Sequence, residues 1–227
     1  KVSHLNGLGN VSYQWYEDTT GVNSGGSLLV GDTFSSFLPE TTTTGIKYYY
    51  CVIYFSSGGC DSITSDVGAV IVRQDPIITQ QPLASHTICV GGTIDSALEV
   101  NYSGGVGSPS YQWQLNGTDL PSDTLNDYLP PTFVSPGTSI YRVKINLSGR
   151  GCNEMISQLV QVDVVSDPSI ITQPNSDSYC QGSSPVSPLV INASGGLGVY
   201  SYQCYIDTTS NGTGVVLRNV QTYSTFV

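Results

Sequence analysis

The sequence predicts an all-β protein made of tandem β-sandwich repeats. Its apolar segments are short and rich in aromatic and β-branched residues, and turns containing glycine or proline separate them. No segment has the 3.6-residue apolar stripe of a helix, and one pattern of motifs recurs about every 92 residues. Several short strands per repeat, punctuated by turns, are typical of a β-sandwich.

A short aromatic motif marks each repeat. The segment Ser-Tyr-Gln-Trp at residues 12–15 recurs at residues 110–113, and as Ser-Tyr-Gln-Cys at residues 201–204. A Gly-apolar-Gly turn precedes each copy at the same distance, at residues 7–9, 105–107 and 196–198. Cys89 and Cys180 each lie 24 residues before the last residue of the motif that follows. Agreement at this many offsets indicates an internal repeat.

A second set of motifs gives the limits of the repeats. Gly59-Cys60 matches Gly151-Cys152, and an Asp-Pro pair follows 15 residues after each cysteine, at Asp75-Pro76 and Asp167-Pro168. We therefore predict three domains. Residues 1–75 are a repeat without its first strands, residues 76–167 are a complete repeat, and residues 168–227 are a repeat without its last strands.

Four segments are the clearest strand candidates. Residues 48–54 and 141–147 are rich in aromatic and β-branched residues, as half-buried strands are. Residues 66–72 and 158–165 are further apolar strands. Trp15 and Trp113 belong to the aromatic motif, and we predict that both indoles lie in domain cores.

The charge of the chain disfavours several partners. Seventeen acidic residues against seven basic ones give a formal charge of −10. Nucleic acids and anionic membrane surfaces both require clustered Lys and Arg, so we predict binding to neither. No apolar run approaches the ~18 residues that span a bilayer, so no direct membrane insertion is expected of this segment. An export signal is not recognisable at the N-terminus, as expected if the chain begins inside a repeat.

No pattern for catalysis or cofactor binding was found. The chain lacks a Gly-x-Ser-x-Gly elbow, a His-Glu-x-x-His motif, a phosphate-binding glycine loop and a calcium-binding acidic loop. Zinc is disfavoured because there is no Cys-x-x-Cys pair and only two histidines, His4 and His86. We therefore predict a protein that is not an enzyme and has no cofactor or metal.

These motifs resemble those of a known family. The Tyr-Gln-Trp strand and the segment at residues 48–53 resemble strands C and F of an immunoglobulin-like domain. Together with Cys-Val-Gly-Gly at 89–92, Ser-Gly-Gly, Gly-Cys and the Asp-Pro linkers, they are similar to the tandem immunoglobulin-like repeats of very large Bacteroidetes surface proteins. That group includes the SprB-like gliding-motility adhesins, which the type IX system secretes. Two positions depart from the pattern: Cys204 replaces a Trp, and Val143 stands where the first repeat has Cys51.

The resemblance implies a non-catalytic stalk or adhesin segment of a long, filamentous protein at the surface of a Gram-negative cell. Its partners would be the neighbouring repeats and a surface ligand, either a glycan or a protein. An alternative is a glycan- or protein-binding accessory module of a secreted enzyme. A eukaryotic receptor ectodomain is disfavoured, because such domains carry a strand B cysteine near the position that Val100 occupies here.

Six cysteines in such a chain suggest disulfides. The candidates are Cys51, Cys60, Cys89, Cys152, Cys180 and Cys204. Three pairing schemes stay open. Cys89 and Cys152 are the pair within the complete repeat, although they are expected at opposite ends of a sandwich. Cys51 and Cys60 flank one hairpin. In the third scheme, a cysteine in the A–B turn of one repeat meets the F–G turn of the next.

Modification is also expected from the resemblance. Asp-Ser/Thr triplets that resemble the Bacteroidetes O-glycosylation motif place candidate acceptors at Thr19, Thr33, Ser62, Ser96, Thr124 and Thr208. Asn-x-Ser/Thr sequons occur as well, but under a bacterial interpretation they arise by chance.

Overall fold

The computed structural model describes residues 1–57, 61–207, 215–217 and 225–226. Within these residues the chain forms strands and turns and no helix, which confirms the all-β prediction. No helix in the described part could therefore cross a membrane. The strands are β1 (Leu8–Asp18), β2 (Ser27–Leu28), β3 (Gly45–Ser57), β4 (Ile63–Thr64), β5 (Gly68–Val72), β6 (Ile77–Gln80), β7 (Ser85–Cys89), β8 (Leu98–Glu99), β9 (Asn101–Ser103), β10 (Pro109–Leu115), β11 (Thr118–Asp119), β12 (Asp127–Tyr128), β13 (Gly137–Leu147), β14 (Met155–Ile156), β15 (Val160–Val165), β16 (Ser169–Thr172), β17 (Leu189–Val190), β18 (Asn192–Ser194), β19 (Tyr205–Asp207), β20 (Val215–Leu217) and β21 (Thr225–Phe226).

The second repeat has the strand order of an immunoglobulin-like sandwich. One sheet runs β11-β10-β13-β15-β7, with β14 also pairing with β13. Strand β7 is parallel to β15, whereas the pairs β10–β11, β13–β14 and β13–β15 are antiparallel. The opposite sheet is represented by the pairs β6–β9 and β8–β12. The first segment of this repeat therefore forms two strands, β6 in one sheet and β7 in the other, as it does in many immunoglobulin-like domains.

Alternation along β13 and β15 builds the core of this repeat. Tyr141, Val143 and Ile145 point inward from β13, and Val160 and Val162 do so from β15. They enclose Trp113, which is fully buried. The ring of Tyr128 lies 5.7 Å from the rings of both Trp113 and Tyr141. The core is therefore aromatic on one side and β-branched on the other.

The first repeat reproduces the same strands in one sheet. Its order is β2-β1-β3-β4, with β5 also pairing with β3. The buried core consists of Trp15, Tyr49, Cys51 and Ile53. Beside it opens a cavity of about 410 Å³ that Trp15 and Tyr49 help to line. In the second repeat β7 and β8 supply side chains to the core, and among the described residues of the first repeat no strand corresponds to them.

The register of paired strands confirms a spacing of 92 residues between the first two repeats. Gly45 pairs with Val72, and Gly137 pairs with Val164. The third repeat forms an equivalent pair at other spacings: Leu189 pairs with Phe226 as Leu98 pairs with Tyr128, and these residues lie 91 and 98 positions further along the chain. Equivalent strands therefore form equivalent ladders in successive repeats.

The chain divides into two compact units. Unit 1 contains residues 1–77 together with two loops of the second repeat, Ser103–Ser108 and Leu147–Asn153. Unit 2 contains residues 78–102, 109–146 and 154–227. The repeat limits at Asp75-Pro76 and Asp167-Pro168 stay a prediction. One end of the second repeat belongs to the same compact unit as the first repeat.

Candidate functional site: the joints between repeats

The two tryptophans are held by the same backbone contacts. Trp113 Nε1 donates to the carbonyl oxygen of Leu125 at 3.0 Å, and the backbone N–H of Trp113 donates to Asp123 at 3.0 Å. In the first repeat the corresponding acceptors for Trp15 are Phe34 at 2.9 Å and Asp32 at 3.2 Å. Trp113 has no exposed surface and Trp15 keeps 8%. Neither indole is therefore available as a stacking platform for a ligand.

A glutamine locks each of these strands in place. Gln112 Nε2 donates to the carbonyl oxygens of Trp113 (3.0 Å) and Leu120 (2.6 Å). Gln14 makes the same two contacts in the first repeat, with Trp15 and Leu29. In the third repeat Gln203 Nε2 donates to the carbonyl of Cys204 at 3.3 Å. The replacement of Trp by Cys204 thus leaves the glutamine contact intact.

Unit 1 contains a joint between the first and second repeats. The backbone N–H of Gly105 donates to the carbonyl oxygen of Gln74 at 2.8 Å. A Cβ added at Gly104 would lie 2.8 Å from the carbonyl oxygen of Asp75, and one added at Gly105 would lie 3.1 Å from Pro76. Both glycines have a positive φ, 81° and 72°. Only glycine gives the Asp-Pro linker this close approach at this backbone conformation.

Unit 2 contains the same joint between the second and third repeats. Gly196 N–H donates to Ser166 at 2.7 Å. A Cβ at Gly195 would lie 2.5 Å from the carbonyl oxygen of Asp167, and one at Gly196 would lie 3.2 Å from Pro168. The φ values, 82° and 70°, match those of the first joint within a few degrees. The two joints therefore have the same hydrogen bond and the same backbone conformation at the glycine pair.

The first repeat carries a variant of the same glycine pair. Asn6 and Gly7 occupy the equivalent positions, with φ values of 65° and 108°. Asparagine is the side chain, together with Asp and His, that tolerates this region best. The Ser-Gly-Gly signal is visible in the sequence at residues 103–105 and 194–196. Its contact with the preceding linker is not visible there, because the partner is identified only by the fold.

The cysteines are free thiols in the described structure. Cys51 is fully buried in the first core, whereas Cys180 is exposed. Cys89 is the last residue of β7, where it pairs with Val165, and a turn follows it directly. Cys60 lies outside the described residues. The pairing of Cys51 with Cys60 therefore stays a prediction.

The described acceptor candidates are all on the surface. Exposed side chains are found at Thr19, Thr33, Ser62, Ser96 and Thr124, and Thr208 lies outside the described residues. Thr33 and Thr124 occupy equivalent loops, because each follows the aspartate whose carbonyl receives a tryptophan N–H. Each is therefore accessible to a modifying enzyme in its folded domain.

The aspartate before Thr19 has a structural role of its own. Although partial burial disfavours its charge, hydrogen bonds from the hydroxyl and N–H of Thr20 and from the N–H groups of Val22 and Gly21 hold the pKa of Asp18 below its usual value. These bonds close a tight turn after β1. Asp18 thus stabilises this turn irrespective of any modification of Thr19.

No group of three or more His, Cys, Asp or Glu side chains that could hold a metal ion occurs among the described residues. The same part of the chain shows a surface ion pair between Lys47 and Glu17 at 3.1 Å. Tyr49 lies 3.4 Å from the same carboxylate, and burial is the main cause that raises the pKa of this tyrosine. This arrangement favours neither a nucleophile nor a general base.

Comparison with known proteins gave similarities of structure. No protein-family model matches the chain, and no curated protein matches it. The chain resembles the structure of Sidekick-1 immunoglobulin domains 1–5, at 18% identity and a TM-score of 0.42, covering 91% of this chain and 41% of that one. It resembles the I67–I69 fragment of titin at 12% identity and a TM-score of 0.47, covering 91% and 72%. It also resembles three N-terminal domains of the outer capsid protein Hoc of bacteriophage RB49, at 12% identity and a TM-score of 0.44, covering 95% and 71%.

The chain spans about two fifths of the five-domain Sidekick-1 structure and 51% of the four-domain one. Its fold class follows from its own strand order: a six-stranded sheet in which β7 is parallel to β15, together with the strand pairs β6–β9 and β8–β12. The chain is therefore a tandem immunoglobulin-like repeat protein. Its distinguishing feature is the joint, which occurs in the same form twice.

Proposed function

We propose that this chain is a non-catalytic stalk segment of a long surface adhesin. One observation carries the proposal: the contact between a Gly-Gly pair and an Asp-Pro linker occurs at both joints, with the same hydrogen bond at 2.8 and 2.7 Å. A protein whose repeats served only as separate binding modules would not require the same fixed joint between them. Repeated joints fit a part whose role is to set length and direction.

The geometry of one repeat gives the scale of such a stalk. Strand β13 has 11 residues, which extend over roughly 36 Å at ~3.3 Å per residue. With its turns, each repeat adds roughly 40 Å. A stalk of many repeats would hold a distal binding tip well away from the cell, and the charge of −10 on this segment would keep neighbouring stalks apart.

The location we propose is the outer surface of a Gram-negative bacterium. This follows the resemblance to Bacteroidetes adhesins, whose members serve surface attachment and gliding motility after secretion by the type IX system. The exposed hydroxyls of Thr33 and Thr124 in equivalent loops support glycosylation at this surface. The partners of this segment would be its neighbouring repeats, and its ligand would be a surface glycan or protein bound elsewhere on the adhesin.

Surface labelling of the native organism tests the location. Antibodies against residues 76–167 should label intact, unpermeabilised cells, and brief protease treatment of those cells should remove the label. Antibody against a periplasmic protein provides the control, since it should label only permeabilised cells. Labelling that requires permeabilisation would contradict the proposal. Peptide mass spectrometry of the recovered protein should then find glycan mass on the Asp-led hydroxyl residues.

A binding assay separates the stalk from the alternative, an accessory module of a secreted enzyme. The 227-residue chain, tested on arrays of glycans and surface proteins, should show no saturable binding if it is a stalk. Saturable binding that is lost when an exposed tyrosine such as Tyr54 is changed to Ala would favour the accessory module. Trp15→Ala is unsuitable for this purpose, because that side chain belongs to the core.

A further inference from the structure

We propose that consecutive repeats are cross-linked by a disulfide. It joins the cysteine at the Cys89 position of one repeat to the cysteine at the Cys152 position of the next repeat. This inference deepens the proposed stalk function, on which it rests for an oxidising environment. It concerns the joints, where a covalent bond would resist separation of two repeats.

Strand β13 separates the two cysteines of the complete repeat along the chain. Cys89 pairs with Val165, next to the residue that pairs with the start of β13 at Gly137. Cys152 follows the other end of β13, five residues after Leu147. The 11 residues of β13 span roughly 36 Å. A disulfide requires Cα atoms within about 7 Å, so Cys89 and Cys152 of one repeat cannot bond to each other.

Cys89 marks the place of the first partner. Its Cα partner in β15 is Val165. The register of β3 with β5 and of β13 with β15 makes Arg73 the equivalent of Val165 in the first repeat. If the first repeat had its equivalent of β7, the cysteine equivalent to Cys89 would therefore lie beside Arg73.

Cys152 marks the place of the second partner. Within unit 1, Cys152 and Arg73 line the same cavity of about 310 Å³, together with Val106. The backbone N–H of Val106 donates to Cys152 Sγ at 3.3 Å, which fixes the sulfur in this loop. Both cysteine positions are thus adjacent to residue 73. The equivalent of Cys89 lies on the strand that pairs with residue 73, and Cys152 lies in a loop of the following repeat.

The distribution of cysteines agrees with one bond per joint. Cys60 and Cys152 occupy one of the two positions, and Cys89 and Cys180 occupy the other. These positions recur between repeats, whereas Cys51 is replaced by Val143 and Cys204 replaces a tryptophan. Each repeat therefore presents one thiol to the repeat before it and one to the repeat after it.

The chemistry is ordinary thiol oxidation. Each of the two thiols loses its proton, a bond forms between the two sulfur atoms, and two electrons pass to a small-molecule or protein disulfide. That oxidant is reduced to two thiols. Such disulfide oxidants are available outside the cytoplasm.

A tandem of two copies of residues 76–167 tests the cross-link. The buried core of the complete repeat runs from Ile94 to Val164, so we expect each copy to fold, and the single repeat serves as the folding control. The junction between the copies restores an Asp-Pro linker. In the first variant, serine replaces Cys152 of the first copy and Cys89 of the second copy. The reciprocal variant, with the opposite two cysteines replaced, is the matched control.

After oxidation in a glutathione buffer, the first variant should lose two hydrogen atoms in intact mass and resist alkylation. The reciprocal variant and the single repeat should keep two reactive thiols. Free thiols in the first variant, or a Cys89–Cys152 bond in the single repeat, would overturn the proposal. Because the oxidant is supplied, this result does not depend on cell-surface location, so failure of the stalk proposal is detected separately by the labelling of intact cells.

The 227-residue chain gives an independent test of proximity. In this chain Arg73→Cys should be joined to Cys152 by a short thiol-to-thiol reagent, whereas Val165→Cys should be joined to Cys89. Digestion and mass spectrometry identify the linked peptides. Linkage of Arg73→Cys to any cysteine other than Cys152 would contradict the proposed convergence at residue 73.

Discussion

The glycine joint leads to a quantitative prediction for Gly104→Ala. The new methyl group would lie 2.8 Å from the carbonyl oxygen of Asp75, which is closer than real Cβ atoms approach backbone. Gly104 also has a φ of 81°. The variant therefore suffers two separate effects: strain in its own backbone and displacement of the linker. Displacement of the linker weakens the hydrogen bond from Gly105 to Gln74.

The control Gly117→Ala separates these two effects. Gly117 has a φ of 84°, and no atom would lie within 4 Å of an added Cβ. An L-residue in this region costs roughly 1–2 kcal/mol, and this cost applies to both variants. The hydrogen bond at the joint contributes about 0.5–1.5 kcal/mol more. We expect Gly104→Ala to lose about 2–3 kcal/mol and Gly117→Ala to lose about 1–2 kcal/mol.

Hydrogen exchange measured by mass spectrometry locates the loss. In Gly104→Ala, peptides containing residues 73–77 and 103–108 should exchange about fivefold to tenfold faster, since 1.4 kcal/mol corresponds to a factor of ten. In Gly117→Ala the same peptides should be unchanged. Gly195→Ala should accelerate exchange only at residues 166–168 and 194–198. Unchanged exchange at the joint in Gly104→Ala would refute the role assigned to the glycine pair.

Three further substitutions test the cores. Trp113→Ala should cost about 3–5 kcal/mol in urea unfolding of residues 76–167, and a variant as stable as the parent would show that the indole is not core. Cys51→Val should change stability by less than about 1 kcal/mol, because Val143 fills the equivalent site; a larger loss under oxidising conditions alone would indicate a bridge to Cys60. Burial, with smaller effects of Tyr141 and Asp123, raises the pKa of Tyr128 to about 12. Since the unfolded tyrosine ionises near pH 10, stability should fall as pH rises from about 10 towards 12. Tyr128→Phe should reduce this fall in pH-dependent unfolding, and a smaller fall should remain because burial also raises the pKa of Tyr141 and Tyr111.

The strands with regular alternation could be predicted from the sequence because their residues encode a buried face locally. Strands 48–54 and 141–147 lie within β3 and β13, and strand 158–165 contains β15. Strand β7 could not be predicted in this way. Its pairing with β15 joins Ser85 to Gln161, which are far apart in sequence, and the short segment has no strong apolar alternation. Its parallel alignment depends on the completed sheet.

The site shows the same division between local and non-local information. Trp113 and Trp15 were predicted to be structural from the motif around them, because large aromatic residues on a strand pack inward. The function of Gly104 and Gly105 was not predicted, although the pair is visible as Ser-Gly-Gly. A glycine in the sequence indicates that another group approaches the backbone closely, but it does not identify that group. Here the partner is the Asp75-Pro76 linker, which only the folded repeat brings to the glycines.

The two joints also show which residues specify the contact. The third repeat is one residue shorter than the second between its Asp-Pro linker and its glycine pair, since the linkers are 92 residues apart and the glycines 91. The hydrogen bond nevertheless forms at both joints, and the acceptor is Gln74 in one and Ser166 in the other. A contact that survives a change of length and of acceptor side chain must be specified by the backbone. Substitutions elsewhere in the linker should therefore be tolerated, whereas alanine at Gly104 or Gly195 should disturb the joint that contains it.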